Sequence, residues 1–187
     1  MKNTINVVMN EYYTKDGRPF AIEQPSAENA EEIIQYSRKI FASTNQVLTI
    51  PEEYTITVEG EMEWIKKINN NPNSLLLIAK LNNKIIGFLF FIQNSKKKIS
   101  HTGEFGVNVH PEYQGMGVAH NLVERLLKWA KQNEQIEKVY LQVFATNRNA
   151  IKLYKKMGFI EEGRHIKAIK QSDGEYVDII QMYVLLK

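Results

Sequence analysis

The stretch Val107–Leu127, VNVHPEYQGMGVAHNLVERLL, passes from alternating apolar residues through two glycines, Gly115 and Gly117, into a periodic helix pattern. Glycine in a helix costs roughly 1 kcal/mol relative to alanine. Two of them at a helix start point to a need for bare backbone. The first helical turn has N–H groups with no helical partner. Together with the helix dipole they form an anion site, and glycine lets a bulky phosphate approach the main chain. An ordinary strand–helix turn is the alternative at this level. A Walker loop is excluded, because Val118-Ala119 stands where Lys-Ser/Thr is needed. A dinucleotide fingerprint is excluded as well, because His120 takes the place of its third small residue.

The helix beyond the glycines is the clearest in the chain. Ala119, Leu122, Val123, Leu126, Leu127 and Ala130 form one stripe, with Glu124, Arg125, Lys128 and Lys131 off it. Before the glycines, Phe105, Val107 and Val109 share one strand face, and Glu104, Gly106 and Asn108 the other. Working outward, Ser74–Leu81 and Lys84–Gln93 read as strands flanking an Asn82-Asn83 turn, and their continuous apolar character implies burial on both faces. Asn94–Ser100 is a basic connection whose three lysines suit a solvated tip. Lys138–Phe144 reads as a strand, and Asn147–Gly158 as a helix closed by Gly158. Gly163–Lys170 and Glu175–Leu186 read as a hairpin around Asp173-Gly174. Toward the N-terminus, Thr4–Tyr13 and Phe20–Gln24 read as strands joined at Asp16-Gly17, and a helix starts at Pro25-Ser26. Ala42–Gly60 reads as a loop, followed by a short helix over Glu61–Asn69. This order predicts one α/β domain around a mixed sheet.

The 187 residues fit one domain with a sizeable core. A net charge of +3 is too small to argue for nucleic acid, and aromatic–basic interleaving is lacking. The absence of cysteine rules out disulfides, thiolate metal sites and a cysteine nucleophile. No His/Asp/Glu spacing suggests a metal. No apolar run approaches the ~18 residues of a membrane span, and the first residues lack the features of a signal peptide. A cytoplasmic protein is the expectation.

Two blocks resemble the GNAT superfamily of acyl-CoA N-acyltransferases. The first is Val109, Pro111, Tyr113, Gln114, Gly115, Gly117 and Ala119. The second is Asn147, Ala150, Tyr154, Gly158 and Phe159, in the pattern N-x-x-A-x-x-x-Y-x-x-x-G-F. The resemblance covers about residues 18–187 and implies a GNAT-like fold: a mixed, mostly antiparallel central sheet flanked by helices. Residues 1–17 would form an extra N-terminal strand beside this single N-acetyltransferase domain. GEFGVNV, YKKMGF and DGEYVD look like bacterial enzymes that acetylate free amino acids or similar small amines.

The resemblance implies direct attack of an amine on the thioester of acetyl-CoA. The backbone of Gln114, Gly115, Met116, Gly117, Val118 and Ala119 would grip the pyrophosphate. Val107 and Val109 would pair with the pantetheine amides, and the Val109 N–H would polarise the thioester carbonyl. Asn147 and Ala150 would lie along the cofactor arm, with Asn147 also suited to cap its helix. Tyr154 would protonate the departing thiolate, and Glu104 would serve as base. Glu52, Glu53, Glu59 and Asp178 are acids that could hold a cationic acceptor, around a pocket formed by the Ala42–Gly60 loop and the final hairpin. With no strong base evident, a small-molecule α-amine is favoured over a lysine side chain. The N-terminal strand and final hairpin could pair between subunits in a homodimer. The competing readings are a non-catalytic acyl-CoA-binding module and a protein N-terminal or antibiotic acetyltransferase.

Overall fold

The computed structural model describes residues 11–187. The expected strand over 4–13 therefore lies partly outside the described residues, and its end is β1 (Glu11–Tyr13). Next come β2 (Pro19–Glu23), α1 (Ala30–Ser43), α2 (Val58–Asn69), β3 (Leu75–Leu81), β4 (Lys84–Gln93) and β5 (Thr102–Val109). After them are α3 (Val118–Gln132), β6 (Lys138–Phe144), α4 (Arg148–Lys156), β7 (Ile160–Lys170) and β8 (Tyr176–Leu185). One sheet has the order β1-β2-β3-β4-β5-β6-β8-β7. Every neighbouring pair is antiparallel except β5–β6. The mixed, mostly antiparallel sheet is as expected, and β1 is the extra strand at one edge.

The apolar runs of β3 and β4 are buried on both faces for a visible reason. Leu75, Leu77 and Ala79 join Leu122, Val123 and Leu126 of α3 in one core. Leu76 and Ile78 join Ile33, Ile40, Ile65 and Ile68 of α1 and α2 in the other. A bulge in β4 opposite Ala79–Lys80 reverses the strand phase, so that Ile86 shares a core with Leu89 and Phe91, and Ile85 with Phe88. Asn82 and Asn83 both take positive φ, 49° and 60°, as a two-residue hairpin turn requires.

The Ala42–Gly60 expectation needs correction. Helix α1 runs to Ser43 and α2 already begins at Val58. The Thr57 hydroxyl caps the Gly60 N–H at 3.1 Å, and Glu59 and Glu61 sit in the favourable first turn. Cap chemistry thus starts the helix three residues before the apolar period becomes legible. Strand β7 likewise begins at Ile160 rather than Gly163; its side chains are almost all exposed, so periodicity had nothing to report.

Gly103 marks a close approach between strands. A Cβ there would lie 2.1 Å from Cζ of Phe91, a fully buried ring packed against Trp129. Gly103→Ala is expected to cost about 1–3 kcal/mol by overpacking. Chemical denaturation checks this, and an unchanged midpoint would contradict the packing described.

Candidate active site

The site forms where the sheet stops being continuous. β5 and β6 pair only over Thr102–Glu104 and Lys138–Tyr140. Beyond that point a cavity of about 550 Å³ opens between them, lined by Glu104–Val109 of β5 and Gln142–Phe144 of β6. That volume lies in the range of small-molecule sites.

Strand phase determines what the cavity meets. The His110 N–H donates to the Ile86 carbonyl, and the Asn94 N–H to the Thr102 carbonyl. In an antiparallel ladder, even-numbered residues here therefore bond β4. Residues 105, 107 and 109 turn their N–H and C=O groups to the open edge. The Val109 carbonyl accepts from Gln114 Nε2 at 3.2 Å, consistent with this direction. The Tyr36 hydroxyl donates to the Asn108 carbonyl at 2.9 Å, tying β5 to α1.

At one end of the cavity lies the glycine turn. Gly115 and Gly117 have φ of 73° and 93°, and Gly117 is the N-cap of α3. The glycines are needed for backbone conformation as well as for open space, since neither has a nearby heavy atom closer than 3.8 Å to a built Cβ. The N–H groups of Gln114 and Met116 donate to Pro111 and Tyr113 carbonyls within the turn. Among the described residues, the N–H groups of Gly115, Gly117, Val118 and Ala119 have no acceptor. These N–H groups are free to meet an anion. The β1–β2 turn props the glycine turn: the Lys15 N–H donates to the Met116 carbonyl at 3.1 Å, and Arg18 stacks on Tyr113 at 5.0 Å.

Helix α4 forms the far wall. The Ala150 N–H donates to Asn147 Oδ1 at 3.2 Å, so Asn147 does cap the helix. Its Nδ2 remains available to the cavity, which Asn147, Ala150 and Tyr154 all line. Tyr154 packs edge-on against Phe105 and Phe159, at 5.8 and 5.9 Å between ring centres. Among the described residues its hydroxyl has no hydrogen-bond partner, and burial pushes its pKa well above the ordinary phenol value.

The face toward α1 and α2 carries the acids. Glu104 is half-buried in the cavity wall, and burial raises its pKa. Glu61, not anticipated from the sequence, is only 5% exposed and lines the same cavity, with its pKa also raised by burial. The four acids singled out from the sequence do not line it. Glu52, Glu53 and Glu59 are exposed, and Asp178 accepts from Arg164 and the Lys167 N–H. The 44–57 loop does form the rim, latched by Thr146 to Gln46 at 2.9 Å and by Gln171 to the Asn45 carbonyl at 3.3 Å. A separate groove beside α3 is lined by Arg125, Lys128, Lys131 and Lys156, with Tyr12, His120 and Glu124. Arg125, Lys128 and Lys131 are the cations off the apolar stripe of α3, and Lys156 comes from α4. Among the described residues there is no cluster of three metal-ligating side chains, and no helix is long and apolar enough to cross a membrane.

Residues 39–159 match the model of the Acetyltransferase (GNAT) family. The chain is 27% identical over 158 residues to the L-amino acid N-acetyltransferase AaaT of Escherichia coli (strain K12), covering 82% of this chain and 97% of that one. It is 31% identical over 134 residues to the spermidine N(1)-acetyltransferase of Vibrio cholerae, covering 72% and 76%. Among solved structures, an acetyltransferase of the GNAT family from Streptococcus pneumoniae superposes with a TM-score of 0.86 at 23% identity, over 90% of this chain and 99% of that one. The yncA protein of Salmonella typhimurium, solved with acetyl-CoA, superposes with a TM-score of 0.79 at 19% identity, over 90% and 94%.

Proposed function

Because this chain belongs to the GNAT acetyltransferase family and is an acetyl-CoA-dependent N-acetyltransferase, we propose that it acetylates the primary amine of a small molecule in the gap between β5 and β6. The observation that carries this is the gap itself. Free backbone groups of β5 face it, an anion cradle stands at one end, a protonated tyrosine lines one wall and a desolvated carboxylate the other. The relatives named as acting on L-amino acids and on spermidine support a small amine as acceptor.

The residues divide the work by position. Gly115, Gly117, Val118 and Ala119 bind the pyrophosphate of acetyl-CoA with their free N–H groups. The groove of Arg125, Lys128 and Lys156 suits the remaining phosphate. Val107 pairs with the amides of the pantetheine arm, and Asn147 donates to it through Nδ2. The Val109 N–H stabilises the negative charge that develops on the thioester oxygen. As the amine nitrogen bonds to the acetyl carbon and the C–S bond breaks, Glu104 takes the proton from nitrogen and Tyr154 returns one to sulfur.

Glu104 must be ionised to accept a proton, and its pKa is raised. Turnover is therefore expected to fall as pH drops through that raised pKa, above the ordinary glutamate range. Glu104→Gln should lower kcat by about 10²- to 10⁴-fold and remove this acidic inflection. Thiol release from acetyl-CoA across an amine panel and a pH series measures both. An unchanged acid limb in Glu104→Gln would remove Glu104 from the mechanism.

A further inference from the structure

Every side chain lining the cavity is neutral except Glu61 and Glu104. No lysine, arginine or histidine is among them. A carboxylate-bearing acceptor would enter a pocket whose own lining offers its anion no counter-charge and places two carboxylates against it; Arg38, close to Tyr54, lines a separate groove with Glu31 and Val58. Desolvating an unpaired anion there is strongly unfavourable.

Glu61 adds a second, independent constraint. It is 5% exposed, no ion pair holds its carboxylate among the described residues, and what exposure it has opens to the cavity. Buried carboxylates are normally paired. Around it the same cavity presents Tyr54, Trp64, Phe88 and Phe90. Such faces accommodate a methylene stem and attract a cation. The reacting amine cannot be the missing partner of Glu61, because it must be neutral to attack.

We propose that the acceptor is a diamine without a carboxylate: one amine reacts beside Glu104 while a second, protonated amine pairs with Glu61 and the stem lies on the aromatic wall. This rests on the acetyltransferase reading above. It departs from a free amino acid as acceptor, the class first expected, because that class brings the one group the cavity cannot hold.

Three probes of equal stem length separate the contributions: lysine, 1,5-diaminopentane and 1-aminopentane, with acetyl-CoA, wild type and Glu61→Gln. In the wild type, kcat/KM for the diamine should exceed that for both others by about tenfold or more, the size expected of one charge-assisted contact. In Glu61→Gln the diamine-to-monoamine ratio should collapse toward unity, mainly through KM, with acetyl-CoA binding retained. Thermal stability of the ligand-free Glu61→Gln protein should change little, since relief of a desolvated carboxylate offsets the loss of its charge from the first turn of α2. Lysine preferred over the diamine, a monoamine equal to the diamine, a ratio that survives Glu61→Gln, or transfer confined to amines outside this class each overturns the proposal. Absence of transfer to any amine at all overturns the acetyltransferase reading with it.

Discussion

Tyr154→Phe is expected to fold, to bind acetyl-CoA and to turn over about 10²- to 10⁴-fold more slowly than the wild type, the usual consequence of losing a positioned acid. Folding is retained because the ring stays. The stabilising contacts of Tyr154 are edge-on packing with Phe105 and Phe159, and phenylalanine preserves them. Deletion of the hydroxyl leaves no buried donor orphaned, since among the described residues it has no partner. What the proposed mechanism loses is the proton for the departing thiolate. A phenol already loses its proton less readily than a thiol and burial widens the gap, so transfer is uphill and depends on close placement. Equilibrium binding and single-turnover kinetics separate the two effects. An unchanged rate in the chemical step would make Tyr154 a packing residue.

The second large effect is on cofactor affinity. Gly117→Val should weaken acetyl-CoA binding by about a hundredfold or more, because several charge-assisted N–H contacts are lost together. Two causes combine. At φ of 93° a β-branched residue is strained, so the turn shifts and its N–H groups no longer converge. The new methyl groups would also occupy the open space that the proposal gives to the phosphate. Gly174→Ala separates strain from the site: Gly174 has φ of 86° but sits in the β7–β8 turn. It should lose some stability and keep its acetyl-CoA affinity. Isothermal titration of both variants tests this, and wild-type affinity in a folded Gly117→Val protein would contradict the cradle.

Much of this site is local, and local features are legible in sequence. The glycine turn, the Asn147 cap and Tyr154 seven residues on lie within two short segments whose spacing fixes their mutual position. The two cores follow from the unbroken apolar runs of β3 and β4. Glu61 escaped notice because it reads as one of several acids near a helix start. Only the packing of α2 on β3 and β4 shows it to be buried. Asp178 failed as a candidate for the opposite reason: a cross-strand partner, Arg164, and a backbone N–H already satisfy it. The groove cations Arg125, Lys128 and Lys156 belong to two helices, and only their docking makes one surface. That the Gln114 and Met116 N–H groups bond within the turn is a matter of turn geometry that the residues QGMG do not dictate.

The most direct test is stoichiometry with and without an amine. With acetyl-CoA alone, intact-mass analysis should show no acetyl group on the protein, and free thiol should stay at background. On adding a small-amine panel, thiol and one acetylated amine should appear in equal amounts, at a rate that depends on both substrates. An acetylated protein that forms before the amine is added, or thiol release with no acetylated amine from any member of the panel, would contradict direct transfer in the gap between β5 and β6.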